Sequence, residues 1–262
     1  MQSDAIEAGT LGYPANVPTM NSLLRSLAAW LCAAALLLPC TALAAKGVKP
    51  APRWQAVLAA GDNAQPVFDN ATEALGRFLG ARGVPAADIH QLSASDTGAE
   101  PSSADRLLGR LASLPIGPGE RCLVFITSHG REDEGVWLAH DHEYLQPAAL
   151  AQALSGGCAR VPTVVIVSAC FSGAFAKGAM RTPNRIVLTA ARSDRPSFGC
   201  QADRTYTFFD ECLIGALPRA PTWRAVFAET AACVGRIERR LRAQPSEPQA
   251  FFGAAVRDLP VP

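Results

Sequence analysis

Two unbroken apolar runs constrain this chain more than any other feature. Cys122-Leu-Val-Phe-Ile-Thr127 leads into Ser128-His129-Gly130, and Thr163-Val-Val-Ile-Val-Ser168 leads into Ala169-Cys170-Phe171-Ser172-Gly173. Neither run alternates apolar with polar residues, so neither suits a sheet with one wet face. Continuous Val/Ile/Leu/Phe runs of this length belong to strands covered on both faces, as in a parallel sheet flanked by helices. The flanking segments alternate as βαβ units do. A strand is predicted at 54–58, a helix at 70–82, a short strand at 89–92, a polar loop at 93–102 and a helix at 103–114. A hairpin within 132–145 and a helix at 147–155 separate the two apolar runs. A strand at 185–189, helices at 206–217 and 222–243, and an edge strand within 250–254 complete residues 45–262 as a single α/β domain. Short right-handed crossovers place the two apolar strands side by side or nearly so.

Ligands of open α/β sheets collect beyond the carboxyl ends of the strands. His129 and Cys170 both stand there, and glycines follow each, Gly130 directly and Gly173 three places on. Glycine lets a backbone approach a substrate and frees N–H groups for an oxyanion. A cysteine beside a histidine attacks carbonyl carbon as its thiolate, and the histidine returns the proton to the leaving group. Taken alone, a strand-end cysteine is ordinarily a small core hydrophobe. The joint occurrence of strand–Ser-His-Gly and strand–Ala-Cys-x-x-Gly, 41 residues apart, turns the reading toward catalysis. His140 and His142 flank Asp141 but lack a third ligand, so they belong on a hairpin surface and no metal site is expected. The arginines at 236, 239, 240 and 242 read as a solvated helix face.

These stretches resemble the legumain-like peptidases, peptidase family C13 of the caspase-like clan. Phe125-Ile-Thr-Ser-His-Gly130 is similar to that family's strand and catalytic His-Gly, and Val167-Ser-Ala-Cys-Phe-Ser-Gly173 to its nucleophile motif. The resemblance implies a caspase-like three-layer α/β/α sandwich, thiol endopeptidase activity on peptide or protein substrates, and no cofactor. It casts Cys170 as nucleophile, His129 as acid and base, and the N–H groups of Gly130 and Cys170 as oxyanion donors. Ala60-Gly61-Asp62-Asn63 resembles the family's Ala-Gly-Ser-Asn, making Asn63 the support of the histidine, with Asp62 second in rank. Ser197 and Asp210 fall in segments resembling the specificity pocket. The positions of that pocket's arginine and of an acidic residue after the nucleophile are held here by Phe68 and Phe171, which removes the basis for asparagine selectivity. Arg192 offers a replacement positive group. A catalytically silent binding protein and a transamidase are the competing readings.

Upstream, Asn21-Ser-Leu-Leu-Arg25, an apolar run at 27–38 and Ala42-Leu-Ala44 have the parts of a signal peptide over 20–44, behind an unassigned extension at 1–19. Cleavage after Ala44 implies a periplasmic or secreted protein with no stable membrane insertion; an uncleaved anchor or a lipidated Cys40 is the alternative. Export admits disulfides among the six cysteines of the mature part, in a pairing left open. A nucleophilic Cys170 leaves five others, hence at least one more free thiol. The net charge of +1 gives no electrostatic reason for nucleic-acid binding. The polar stretches 93–102 and 131–135 are the accessible places for self-cleavage.

Overall fold

A computed structural model describes residues 52–95 and 100–262. The expected extension, signal segment and Cys40 lie outside the described residues, as does 96–99 of the predicted polar loop.

Ten strands and five helices follow in order: β1 (Trp54–Ala60), α1 (Val67–Ala81), β2 (Ile89–Ser93), β3 (Glu100–Pro101), α2 (Ala104–Ala112) and β4 (Arg121–Thr127). Then come β5 (Gly130–Arg131), β6 (Gly135–Leu138), β7 (Glu143–Leu145), α3 (Pro147–Leu154) and β8 (Thr163–Ser168). β9 (Arg185–Thr189), α4 (Phe208–Ala216), α5 (Trp223–Leu241) and β10 (Gln249–Phe252) close the chain. Seven strands form one sheet in the order β10-β9-β8-β4-β1-β2-β3, parallel except for the antiparallel edge strand β10. The two apolar runs, β4 and β8, are central neighbours.

The alternation of side chains across the pleat explains why both runs are apolar between their ends. Val57, Ala59, Val124, Ile126, Val165 and Val167 point to one face, where Leu107 and Leu111 of α2 and Leu150 and Leu154 of α3 cover them. Ala56, Leu58, Leu123, Phe125, Val164 and Ile166 point to the other, under Leu75 and Leu79 of α1, Leu213 of α4 and Trp223 and Val226 of α5. The result is an α/β/α sandwich. Each such Val, Leu, Ile or Phe side chain taken from water contributes about 1.5–3 kcal/mol before the entropy of ordering it. Helix starts follow local chemistry: Ser103, Thr207 and Thr222 each accept a backbone N–H from three residues on. α1 begins three residues earlier than its apolar spacing suggested, because Pro66 presets the first turn and Val67 and Phe68 are buried.

The predicted hairpin is a small three-stranded sheet, β5-β6-β7. His140 and His142 lie in its β6–β7 turn, His142 with φ 54° beside Trp137, and Asp141 accepts the Ala104 N–H at 2.7 Å at the start of α2. Among the described residues no three His, Cys, Asp or Glu side chains gather as a metal site, and no helix is long and apolar enough to cross a membrane. Two disulfides are formed among the described residues. Cys122–Cys158 ties β4 to the segment after α3, and Cys212–Cys233 staples α4 to α5. Among the described residues Cys170 and Cys200 are the free thiols.

Candidate active site

Thr127 of β4 pairs in register with Ser168 of β8, and the Ser128 N–H still donates to Ser168 O at 3.1 Å. His129 and Cys170 each follow two residues later, so they leave the sheet side by side, on strands spaced about 4.8 Å apart. Both are partly exposed at the sheet's carboxyl edge.

The small sheet pins the histidine from behind. Trp137 of β6 donates its N–H to His129 O at 3.0 Å, and Ser128 Oγ donates to Trp137 O at 2.6 Å. Gly61, just past β1, donates to Thr127 O and accepts from the Ala139 N–H. A Cβ there would come within 2.6 Å of Trp137 O and 2.7 Å of Ser128 Oγ, so only glycine fits the junction of the two sheets. Because His129 and Trp137 form a hydrogen-bonded pair, Gly130, opposite Val136, occupies the next, non-bonded position. Its N–H therefore points away from β6. Gly130 also lies so near Cys170 that a Cβ would overlap the Cys170 carbonyl oxygen and stand 3.1 Å from Ala169 Cβ.

Cys170 sits at the apex of a sharp turn. Phe171 takes left-handed backbone angles (φ 57°, ψ 12°) and starts a 3-10 turn over Ser172–Ala176. That conformation costs a bulky residue about 1–2 kcal/mol; the Phe171 N–H, donating to Arg195 O at 2.8 Å, helps hold it. The loop after β9 closes over the thiol. The Ser197 N–H donates to Cys170 Sγ at 3.3 Å, Sγ lies 3.3 Å from Ser197 O, and Ser197 Oγ lies 3.9 Å away.

The other sequence-predicted residues divide. Phe68, assigned to the substrate pocket, is buried, and its ring meets the His129 imidazole edge-to-face at 5.2 Å between centroids. It is the wall behind the histidine. Asn63, expected to support the imidazole, is exposed after β1 and makes no hydrogen bond to it; Asp62 instead accepts the Ala64 N–H at 2.7 Å. Asp210, also assigned to the pocket, has 0% exposure and so does not line it. It lies under the strand ends, where Oδ2 accepts from Thr127 Oγ1 at 2.7 Å. Burial pushes its carboxyl up to about 6, with the Ser168, Thr127 and Thr207 hydroxyls opposing the rise. Arg192 is no free cation: it pairs with Asp194 at 2.5 Å and Glu247 at 2.8 Å.

Cys200 has no role expected from the sequence. It is half-buried beside Ala60, Val67 and Phe68, and burial, then the neighbouring Cys170, pushes its thiol up. Its position three residues after Ser197 was the available signal. The stretch 131–135 runs from the last residue of β5 through the turn to the first of β6, exposed at residues 131–133.

The family model described as Peptidase C13 family matches residues 105–217, a span that holds His129, Cys170, Ser197 and Asp210. No curated protein sequence matches the chain. Among solved structures, caspase-1 from Spodoptera frugiperda superposes with a TM-score of 0.57 at 11% identity, covering 78% of this chain and 87% of that one. The fold is caspase-like, and the resemblance to the C13 peptidases read from the two motifs stands over the matched residues.

Proposed function

We propose, for a chain with a caspase-like fold and a Peptidase C13 match across both motifs, that it is a cysteine endopeptidase working through Cys170 and His129. The observation that carries this reading is the register Thr127↔Ser168, which sets the two residues side by side at the edge where α/β sheets bind ligands. Cys170 Sγ attacks the scissile carbonyl carbon and its proton passes to His129. The oxyanion accepts hydrogen bonds from the N–H of Gly130, which is turned away from β6, and from the N–H of Cys170. His129 then protonates the leaving amine, and as general base directs water onto the thioester. Phe68 confines the imidazole from one side and Ser197 fixes the sulfur from the other. The two disulfides support export to an oxidising compartment.

The test is labelling of purified protein with peptidyl acyl-electrophile probes that vary the residue before the electrophile, with mass mapping of the modified cysteine. Labelling at Cys170 that is lost in His129→Ala is the expected result, and the preferred probe names the specificity. Equal labelling of Cys170 and Cys200, or indifference to His129→Ala, would remove the catalytic reading.

A further inference from the structure

We infer that Asp210 is a positioning residue for the Cys170–His129 pair, its buried carboxyl tying the strand end that leads to His129 to the helix that braces the loop on the Cys170 sulfur. The inference rests on the peptidase reading.

Asp210 stands in the first turn of α4, directly beneath the end of the sheet. Oδ2 accepts from the hydroxyl of Thr127, the last residue of β4, at 2.7 Å. Thr127 and Ser168 are register partners, and His129 and Cys170 each lie two residues beyond. The carboxyl thus holds the β4 side of their last shared rung. The same helix turn braces the third side of the site. Phe208 donates its N–H to Phe198 O at 3.0 Å, and Gly199 (φ 100°) packs so tightly on Phe208 that a Cβ would approach its nitrogen to 2.6 Å. That segment carries Ser197, the residue on the sulfur.

A stabilising role alone explains this carboxyl poorly. It is fully buried, its side-chain donor is the Thr127 hydroxyl, and Oδ1 has no hydrogen-bond partner among the described residues. An isolated carboxylate in such a place is costly, and apolar side chains of similar volume ordinarily serve stability better. What they lack is an acceptor that ties the end of β4 to the start of α4.

The experiment compares two reactions of Cys170. A peptidyl acyl-electrophile needs the sulfur, the imidazole and the oxyanion donors in mutual alignment; iodoacetamide needs only an accessible thiol. Asp210→Ala is expected to slow peptidyl labelling about 10²-fold, the effect of a 1 Å misplacement, while iodoacetamide alkylation of Cys170 keeps its rate. Asp210→Asn retains an acceptor for Thr127 and should recover most of the loss. Thr127→Val removes the donor with little change of shape and should slow peptidyl labelling in the same selective way, even where Asp210→Ala fails to fold. Wild-type peptidyl rates in Asp210→Ala or Thr127→Val would overturn the inference. So would a parallel fall with iodoacetamide, or an Asp210→Asn as slow as Asp210→Ala. A wild-type protein that reacts with iodoacetamide but with no peptidyl probe would instead sink the peptidase reading, and this inference with it.

Discussion

Alanine at Gly130 tests the junction on which the site depends. A Cβ there would overlap the Cys170 carbonyl oxygen and stand 3.1 Å from Ala169 Cβ. Both obstacles are on β8's own extension, so neither can rotate aside as a surface side chain does. The strand ends must part, and overpacking of this kind costs about 1–3 kcal/mol. For a domain of this size that lowers Tm by roughly 2–12 °C, at about 2–4 °C per kcal/mol. The same separation moves His129 and the Gly130 N–H away from Cys170, and a shift on the order of 1 Å at reacting groups costs about 10²-fold in rate. The control is Gly80→Ala. Gly80 lies in α1, and a Cβ there meets nothing within 4 Å. Removing glycine's backbone entropy from a helix is worth up to about 1 kcal/mol, so this variant should melt at or slightly above the wild type. Thermal unfolding followed by circular dichroism, beside second-order labelling by a peptidyl electrophile, reads both effects. A Gly130→Ala protein that melts and labels like the wild type would refute the tight β4–β8 junction.

Two further outcomes follow from the same contacts. Replacing Cys233 by alanine opens a link across 21 residues and should cost about 3 kcal/mol, and replacing Cys158 opens one across 36 residues at about 4 kcal/mol; denaturant unfolding of each variant checks the order. Asp210 predicts an unusual pH term. Its folded carboxyl titrates at about 6 against 3.8 for the free group, so the folded state binds the extra proton between those values. The resulting stability is full below about 3.8, falls as pH rises through 6, and amounts to about 3 kcal/mol at 1.36 kcal/mol per unit. Asp210→Asn should therefore gain on the wild type between pH 4 and 7 in paired denaturation curves, and a constant difference across that range would contradict the burial of the charge.

The elements themselves were legible because their causes are local. β8 and β9 have the predicted bounds, since a run of buried β-branched residues ends where polar or turn residues begin. The helices at 103–114, 206–217 and 222–243 shorten by a residue or two at each end, where Ser103, Thr207 and Thr222 act as caps. α1 starts ahead of its sequence pattern because its first buried residues, Val67 and Phe68, precede the regular spacing that begins at Ala71.

His129 and Cys170 could be placed from sequence for the same reason: each is the first chemically distinctive residue after a strand whose direction and neighbour the topology rules supply. What surrounds them could not. Phe68 and Asp210 occupy pocket positions by resemblance, yet one packs on the imidazole and the other lies beneath the sheet. Those outcomes hang on how α1 and α4 are rotated against the strands, which spacing along the chain does not encode. The pairing of Cys122 with Cys158 and Cys212 with Cys233 likewise depends on which helix ends meet. Sequence alone determined a doubly covered parallel sheet with a cysteine and a histidine at its carboxyl edge, because hydrophobic periodicity and turn chemistry act over a few residues. The tertiary structure decided which side chains hold that pair in place, because contacts between residues tens of positions apart exist only once the layers have packed.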